Sequence, residues 1–370
     1  MLDLKFKLRP GHTSEREWMK PAPPESVFWN STYACNFHCG ICFTDGGQAG
    51  EDELTTEEAL KMVENLHASG IQDIKVSGGE PFRREDLTTI LIHMAELGLT
   101  ARIASNGSLL NPKILKKLRN ETLTKSFQIS LDTLNPNLYR KIHGTSAETL
   151  KSVLESLRNL LALGFHTTVS VRLTRQTLPE IPRILNRAHE EGWATVTVHL
   201  PLNTKRYQGA LPQQTDYLSL LRPVFEHFSK LPAHWLVETY IPWVQYHPEI
   251  QRCEETIRFV HRGCYAGRGH LTITPSGFIT PCVCLDVKAA FIGDVRKDSL
   301  IEILKTSPLC RMMQHPDQHG ICVDCPYVRT CGGGCRAAAF AITGRLDGQD
   351  ESCPLWQKKN RLRDKNERVK

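Results

Sequence analysis

Residues 35–42 read Cys35-Asn36-Phe37-His38-Cys39-Gly40-Ile41-Cys42, which puts three thiols on one short loop at C-x3-C-x2-C spacing. As thiolates they can hold three irons of a cubane cluster, whose usual complement is four cysteines, and so leave one iron open to an outside ligand. Zinc is the competing reading. It usually takes a second ligand pair nearby, and His38 lies inside the loop rather than at such a spacing. A second motif is Ser77-Gly78-Gly79-Glu80-Pro81. Paired glycines let a backbone approach a ligand closely, and the Glu80 carboxylate can accept from an ammonium group. The chain has thirteen cysteines: Cys35, Cys39 and Cys42, none until Cys253, then ten from Cys253 to Cys353. An odd total precludes complete disulfide pairing, and such clustering in a long chain indicates metal or redox sites.

Something must hold these loops in place, and the segment from residue 26 to 200 supplies a repeating scaffold. Short apolar strands are expected at 26–31, 71–77, 100–105, 127–131, 167–173 and 195–199, with helices at 55–69, 85–97, 111–119, 147–163 and 178–191. Thr55 with Glu58 three residues later forms a capping box, and Gly70, Gly98, Gly164 and Gly192 stand where helices stop. Alternating strands and helices with short connections imply parallel strands and right-handed crossovers. Six units are too few for a closed eight-unit barrel, so an α/β fold with an open, partial (β/α)6 barrel is expected. In such folds the site gathers at the C-terminal ends of the strands, where both motifs fall.

Residues 201–263 look like a bridge with a helix at 216–229. From 264 to 357, Gly, Pro and Cys dominate, with helical patterning only near 299–305 and 336–342. This stretch predicts a small, cysteine-rich α+β domain stapled by metal clusters in place of a large apolar core. Residues 1–25 form an N-terminal extension and 358–370 a basic tail, which reads as a solvated surface.

The net charge of +6 is mild and names no nucleic-acid partner. No apolar run reaches the roughly 20 residues of a membrane span, and residues 1–10 lack the apolar centre of a secretory signal. A cytoplasmic enzyme is expected.

Cys35, Cys39 and Cys42, the aromatic Phe43 that follows, and Gly78-Gly79-Glu80-Pro81 together resemble the radical S-adenosylmethionine (SAM) superfamily across about residues 27–200. The resemblance implies a 4Fe–4S cluster whose open iron binds the amino and carboxylate groups of SAM. Reductive cleavage then yields a 5′-deoxyadenosyl radical. Gly78, Gly79 and Glu80 would hold the methionine amino group. By strand-end position, Asn106, Ser130, Asp132 and Arg172 would contact ribose or carboxylate. An electron donor such as flavodoxin or ferredoxin is implied.

Cys264-x12-Gly277-x4-Cys282, then Cys322-x2-Cys325-x5-Cys331-x3-Cys335, then Cys353 resemble the seven-cysteine SPASM domain. That resemblance implies two auxiliary 4Fe–4S clusters. Cys322, Cys325, Cys331 and Cys353 would hold one, and Cys264, Cys282 and Cys335 the other. Its fourth ligand stays open between Cys284, Cys310 and an unclaimed iron. Cys253 reads as an ordinary buried thiol.

SPASM enzymes of this kind commonly modify ribosomally made peptides, so cross-linking, epimerisation or backbone excision of a precursor peptide is the favoured activity. Only 34 residues precede Cys35, too few for a fused winged-helix leader module, so a separate small leader-binding protein is expected. Oxidative decarboxylation or side-chain removal on a tetrapyrrole is the second reading, and a non-catalytic electron carrier the third. Sulfatase-maturing enzymes fit less well. His270 stands where they carry an added cysteine and Val283 where they carry an aspartate; Asp286 is near but out of register.

Overall fold

The computed structural model describes residues 26–172, 174–199, 236–238, 258–260, 266–325, 328–350, 353 and 355–356. The N-terminal extension, the expected helix at 216–229, Cys253, Cys264 and the basic tail lie outside the described residues.

Six strands follow the chain: β1 Ser26–Asn30, β2 Asp73–Ser77, β3 Thr100–Ser105, β4 Thr124–Ser130, β5 His166–Arg172 and β6 Thr195–His199. They pair in sequence order and in parallel. The intervening helices are α1 Thr56–Ala68, α2 Leu87–Glu96, α3 Pro112–Glu121, α4 Pro136–His143, α5 Thr149–Ala162 and α6 Ile181–Glu191. Alternate strand residues point to opposite faces. Val27, Trp29, Ile74, Val76, Ile103, Phe127, Ile129, Val169, Val171 and Val196 are buried in the main core with apolar residues of the helices. The other set includes Phe28, Lys75, Arg102 and Ser126, in register across four strands. It gives the sheet a polar opposite face.

Most of the expected elements are present, and α4 is an addition. Asn135 caps it by accepting from the Asn137 and Leu138 amides, Pro136 opens it, and Gly144 closes it in the left-handed region at φ 58°.

The second difference concerns the cysteine-rich region. It was expected to be a small α+β domain stapled by metal clusters in place of a large apolar core. Instead, β9 Thr272–Ile273 lies parallel beside β1, and β10 Phe278–Thr280 and β11 Gly293–Asp294 continue antiparallel. One sheet of nine strands results, ordered β11-β10-β9-β1-β2-β3-β4-β5-β6. Leu271, Ile273, Ile279, Val295, Leu300 and Leu304 join the main core. The reason is their apolar spacing beside the edge of β1, which would otherwise be left unpaired. A short parallel pair, β7 Leu236–Glu238 and β8 Arg258–Val260, forms a second sheet. Four short helices finish the described chain: α7 Leu300–Thr306, α8 Pro308–Gln314, α9 Val328–Cys331 and α10 Arg336–Thr343. Two of these, α7 and α10, match the helical patterning near 299–305 and 336–342. Among the described residues no helix is long and apolar enough to cross a membrane.

Candidate cluster-binding site

The loop of Cys35, Cys39 and Cys42 leaves the C-terminal end of β1, and none of the three thiols is in a disulfide. All three are partly exposed, and Cys35 lines an opening together with Asn36, Phe37, His38, Gly47, Gln48 and Gly144. Cys35 Sγ accepts from the Phe37 amide at 3.4 Å, and Cys42 Sγ lies 3.5 Å from Thr44 Oγ1. Burial pushes the Cys35 thiol up, so iron must displace its proton on binding. Among the described residues no three Cys, His, Asp or Glu side chains converge on a point fit for one metal ion. A cubane asks for something else, because it spreads its thiolates over separate irons.

Gly78 and Gly79 serve this loop directly. Gly78 has φ 130°, and a side chain on it would strike Thr32 O at 2.5 Å. A Cβ on Gly79 would collide with the carbonyls of Tyr33 and Ala34. The Gly79 amide donates to Thr32 O and the Glu80 amide to Ala34 O, both at 2.8 Å. The close approach that the glycines permit is thus to the chain's own cysteine loop.

Glu80 faces inward. Its carboxylate is fully buried and faces donors of the chain rather than an open ligand site. Oε1 accepts from the Phe82 amide at 3.2 Å and Ser105 Oγ at 2.9 Å, and Oε2 accepts from the Asn106 amide at 2.7 Å. It ties the turn after β2 to the end of β3. Burial raises its pKa from 4.5 to about 7, against the pull of these three donors.

Asn106 and Asp132 also point inward. Asn106 Nδ2 donates to Asn36 Oδ1 at 2.9 Å, and its own Oδ1 accepts from the Ser108 amide and hydroxyl. It orients the cysteine loop. Asp132, at φ 58°, accepts from the Arg172 amide at 2.5 Å and lies 3.3 Å from His143 Nε2. Burial raises Asp132 and lowers His143. Ser130 sits at the end of β4, in register with Ser170. Arg172 lies over the Phe43 ring at 5.0 Å, which brings the end of β5 to the residue after Cys42.

His143 was not anticipated. It ends α4, its Nδ1 is 3.3 Å from Cys39 Sγ, and its ring packs on Phe37 and Tyr139. The α4 backbone closes the same side: His143 O accepts from the His38 amide at 3.0 Å and Ile142 O from the Gly40 amide at 3.1 Å. The run Asn135-Pro136 with Gly144 eight residues beyond is a helix start and stop that could have revealed this element.

The later cysteines form two groups. Burial pushes the Cys322, Cys331 and Cys353 thiols up, Cys331 to about 12, and neighbouring thiols of this group, Cys325 among them, add to the shift. Cys282, Cys284 and Cys335 pack against a small apolar cluster of Ala266, Leu285, Ala290, Met313 and Ala337. Tyr33 connects the Cys282–Cys284 loop to the barrel: its hydroxyl donates to Asp286 Oδ2 at 2.8 Å, and its amide to Glu53 at 2.7 Å.

Comparison with known families follows from this geometry. The radical SAM superfamily matches residues 29–200, and the SPASM iron–sulfur cluster-binding domain matches 264–326. The chain belongs to the radical SAM superfamily and carries a SPASM domain. Its cofactors are SAM and 4Fe–4S clusters, and it is an enzyme. This radical SAM enzyme is 27% identical over 344 residues to an AdoMet-dependent heme synthase of Methanosarcina barkeri, covering 89% of this chain and 96% of the relative. It is also 27% identical over 345 residues to the mycofactocin maturase MftC of Mycobacterium tuberculosis, covering 89% and 83%. In fold it is similar to SuiB of Streptococcus suis, solved with its precursor peptide SuiA. The TM-score is 0.73 at 18% identity, over 91% of this chain and 77% of that one.

Proposed function

We propose that this radical SAM enzyme modifies a precursor peptide in the cytoplasm, by cross-linking, epimerisation or backbone excision. Auxiliary clusters would receive an electron from the substrate, a flavodoxin or ferredoxin would supply one, and a separate small protein would present the peptide's leader. The observation carrying this reading is the Tyr33–Asp286 hydrogen bond, which joins the cysteine loop of the barrel to the Cys282–Cys284 loop. An electron leaving a substrate at the barrel mouth would have a second cluster beside it. The likeness to MftC, and to the fold of a protein solved with its peptide, supports a peptide substrate.

When bound, the cluster and SAM supply a 5′-deoxyadenosyl radical that takes a hydrogen atom from the substrate. Cys35, Cys39 and Cys42 would hold three irons. Glu80, already engaged within the fold, keeps the Gly78-Gly79 turn pressed on that loop and leaves the amino group of SAM to main-chain acceptors. Arg172 beside Phe43 offers a positive charge for a carboxylate, and Ser130 a hydroxyl. Asp132 and Asn106 position their neighbours. Cys322, Cys325, Cys331 and Cys353 would hold one auxiliary cluster, and Cys264, Cys282 and Cys335 would belong to the other.

A tetrapyrrole substrate is the second reading, favoured by the likeness to a heme synthase over 96% of that protein. The test is anaerobic turnover of reconstituted, reduced enzyme with SAM, followed by mass spectrometry of candidate precursor peptides and of porphyrins. A peptide mass change coupled to 5′-deoxyadenosine supports the proposal. A mass change confined to the porphyrin overturns it.

A further inference from the structure

The structure assigns Cys284 as a thiolate ligand of the auxiliary cluster that includes Cys282 and Cys335, and assigns Cys310 to the core. We thereby infer a cluster with no iron left for substrate, one that exchanges electrons without binding the peptide. The inference rests on the reading of residues 264–357 as a cluster domain and deepens it.

Three observations separate the two cysteines. First, the Cys284 amide donates to Cys282 Sγ at 3.4 Å, so the two cysteines share one tight turn. Second, both pack with Cys335 on the same small apolar cluster, and all three are partly exposed rather than sealed. Third, Cys310 is fully buried on α8 as part of the main core, and its amide donates to Ser307 Oγ as the cap of that helix.

The chemistry follows from this placement. A cubane gains its fourth thiolate from a side chain that can reach it and lose a proton. Cys284 is beside one ligand already and on the same short loop. Cys310 would have to leave a packed core, opening a cavity there.

The test uses the full chain with Cys35, Cys39 and Cys42 replaced by alanine, so that only auxiliary iron is present. Cys284→Ala and Cys310→Ala are added separately. Each protein is reconstituted with iron and sulfide, reduced, and probed with carbon-13 cyanide by iron analysis and electron–nuclear double resonance. The parent is expected to show no cyanide coupling. Cys284→Ala should gain a coupled cyanide or lose about a third to a half of its iron, as one of two cubanes opens or falls away. Cys310→Ala should keep its iron and stay silent to cyanide while melting earlier. Cys284→Ser, with an oxygen ligand in the same place, should change the resonance of one cluster without losing it. Cyanide coupling in the parent, or a Cys284→Ala protein indistinguishable from it, overturns the assignment. A parent that takes up no iron at all overturns instead the cluster reading of the domain.

Discussion

Replacing Gly79 with alanine tests whether the glycine pair exists to seat the cysteine loop. The new Cβ would lie 2.6 Å from Tyr33 O and 2.8 Å from the Ala34 carbonyl carbon, and both are backbone atoms that cannot rotate away. Carbon contacts settle near 3.5 Å, so the loop must retreat by about 0.8 Å. The two hydrogen bonds at 2.8 Å, from the Gly79 amide to Thr32 O and from the Glu80 amide to Ala34 O, hold it there. A retreat of that size stretches them to about 3.6 Å and breaks them. Each is worth about 1 kcal/mol. Overpacking against rigid backbone adds about 2 kcal/mol, for a total of about 4 kcal/mol. That corresponds to a melting point lower by about 10 °C. The assay is thermal unfolding of the protein together with its iron content and absorbance near 400 nm after reconstitution. The control is Gly40→Ala in the same loop, where a Cβ meets no heavy atom within 4 Å. That variant should stay within about 0.5 kcal/mol of the parent. If Gly79→Ala melts and loads iron like the parent, the seating argument is wrong.

Asp132 and His143 lie 3.3 Å apart and both are buried. Asp132→Asn and His143→Leu should each cost about 3 kcal/mol, and the double variant less than their sum by at least about 1 kcal/mol, read by denaturant unfolding. Additive losses would show the pair is not coupled. Tyr33→Phe removes the bond to Asp286 and should cost about 1.5 kcal/mol, whereas no change in melting point would dismiss the bridge. Glu80 sets a pH dependence. Its folded pKa of about 7 exceeds the ordinary 4.5, so the native state keeps a proton that the unfolded chain releases. That contribution is complete below pH 4.5 and disappears as pH rises through 7. Unfolding free energy in the parent should fall across this window relative to Glu80→Ala, and parallel pH profiles for the two proteins would refute it.

Much of the barrel was legible because its signals are local. Thr55 and Glu58 cap α1 as their spacing indicates, and the apolar alternation of 73–77 and 100–105 gives paired strands. The cysteine motifs were equally plain, since spacing on one loop survives without knowing the fold. Orientation was not. Nothing local says that Glu80 turns toward Ser105 and Asn106, or that Asp132 turns toward His143, because those partners arrive from other strands and from α4. Helix α4 was missed although its cap residues are in order, because its eight residues bury only Tyr139, Ile142 and His143. The pairing of β9 with β1 was illegible for a different reason. It joins positions more than 240 residues apart through strands of two or three residues, too short for any periodicity.

The place of β9 also bears on how the chain can be cut or made. While residues 272–273 are missing, β1 presents a bare row of amides and carbonyls on the side away from β2. A fragment ending after β6, or a nascent chain paused there, would carry that unprotected border together with Phe28 and Trp29. It would tend to associate with other copies of itself. The C-terminal cysteine region thus guards the barrel from aggregation, whatever metal it carries.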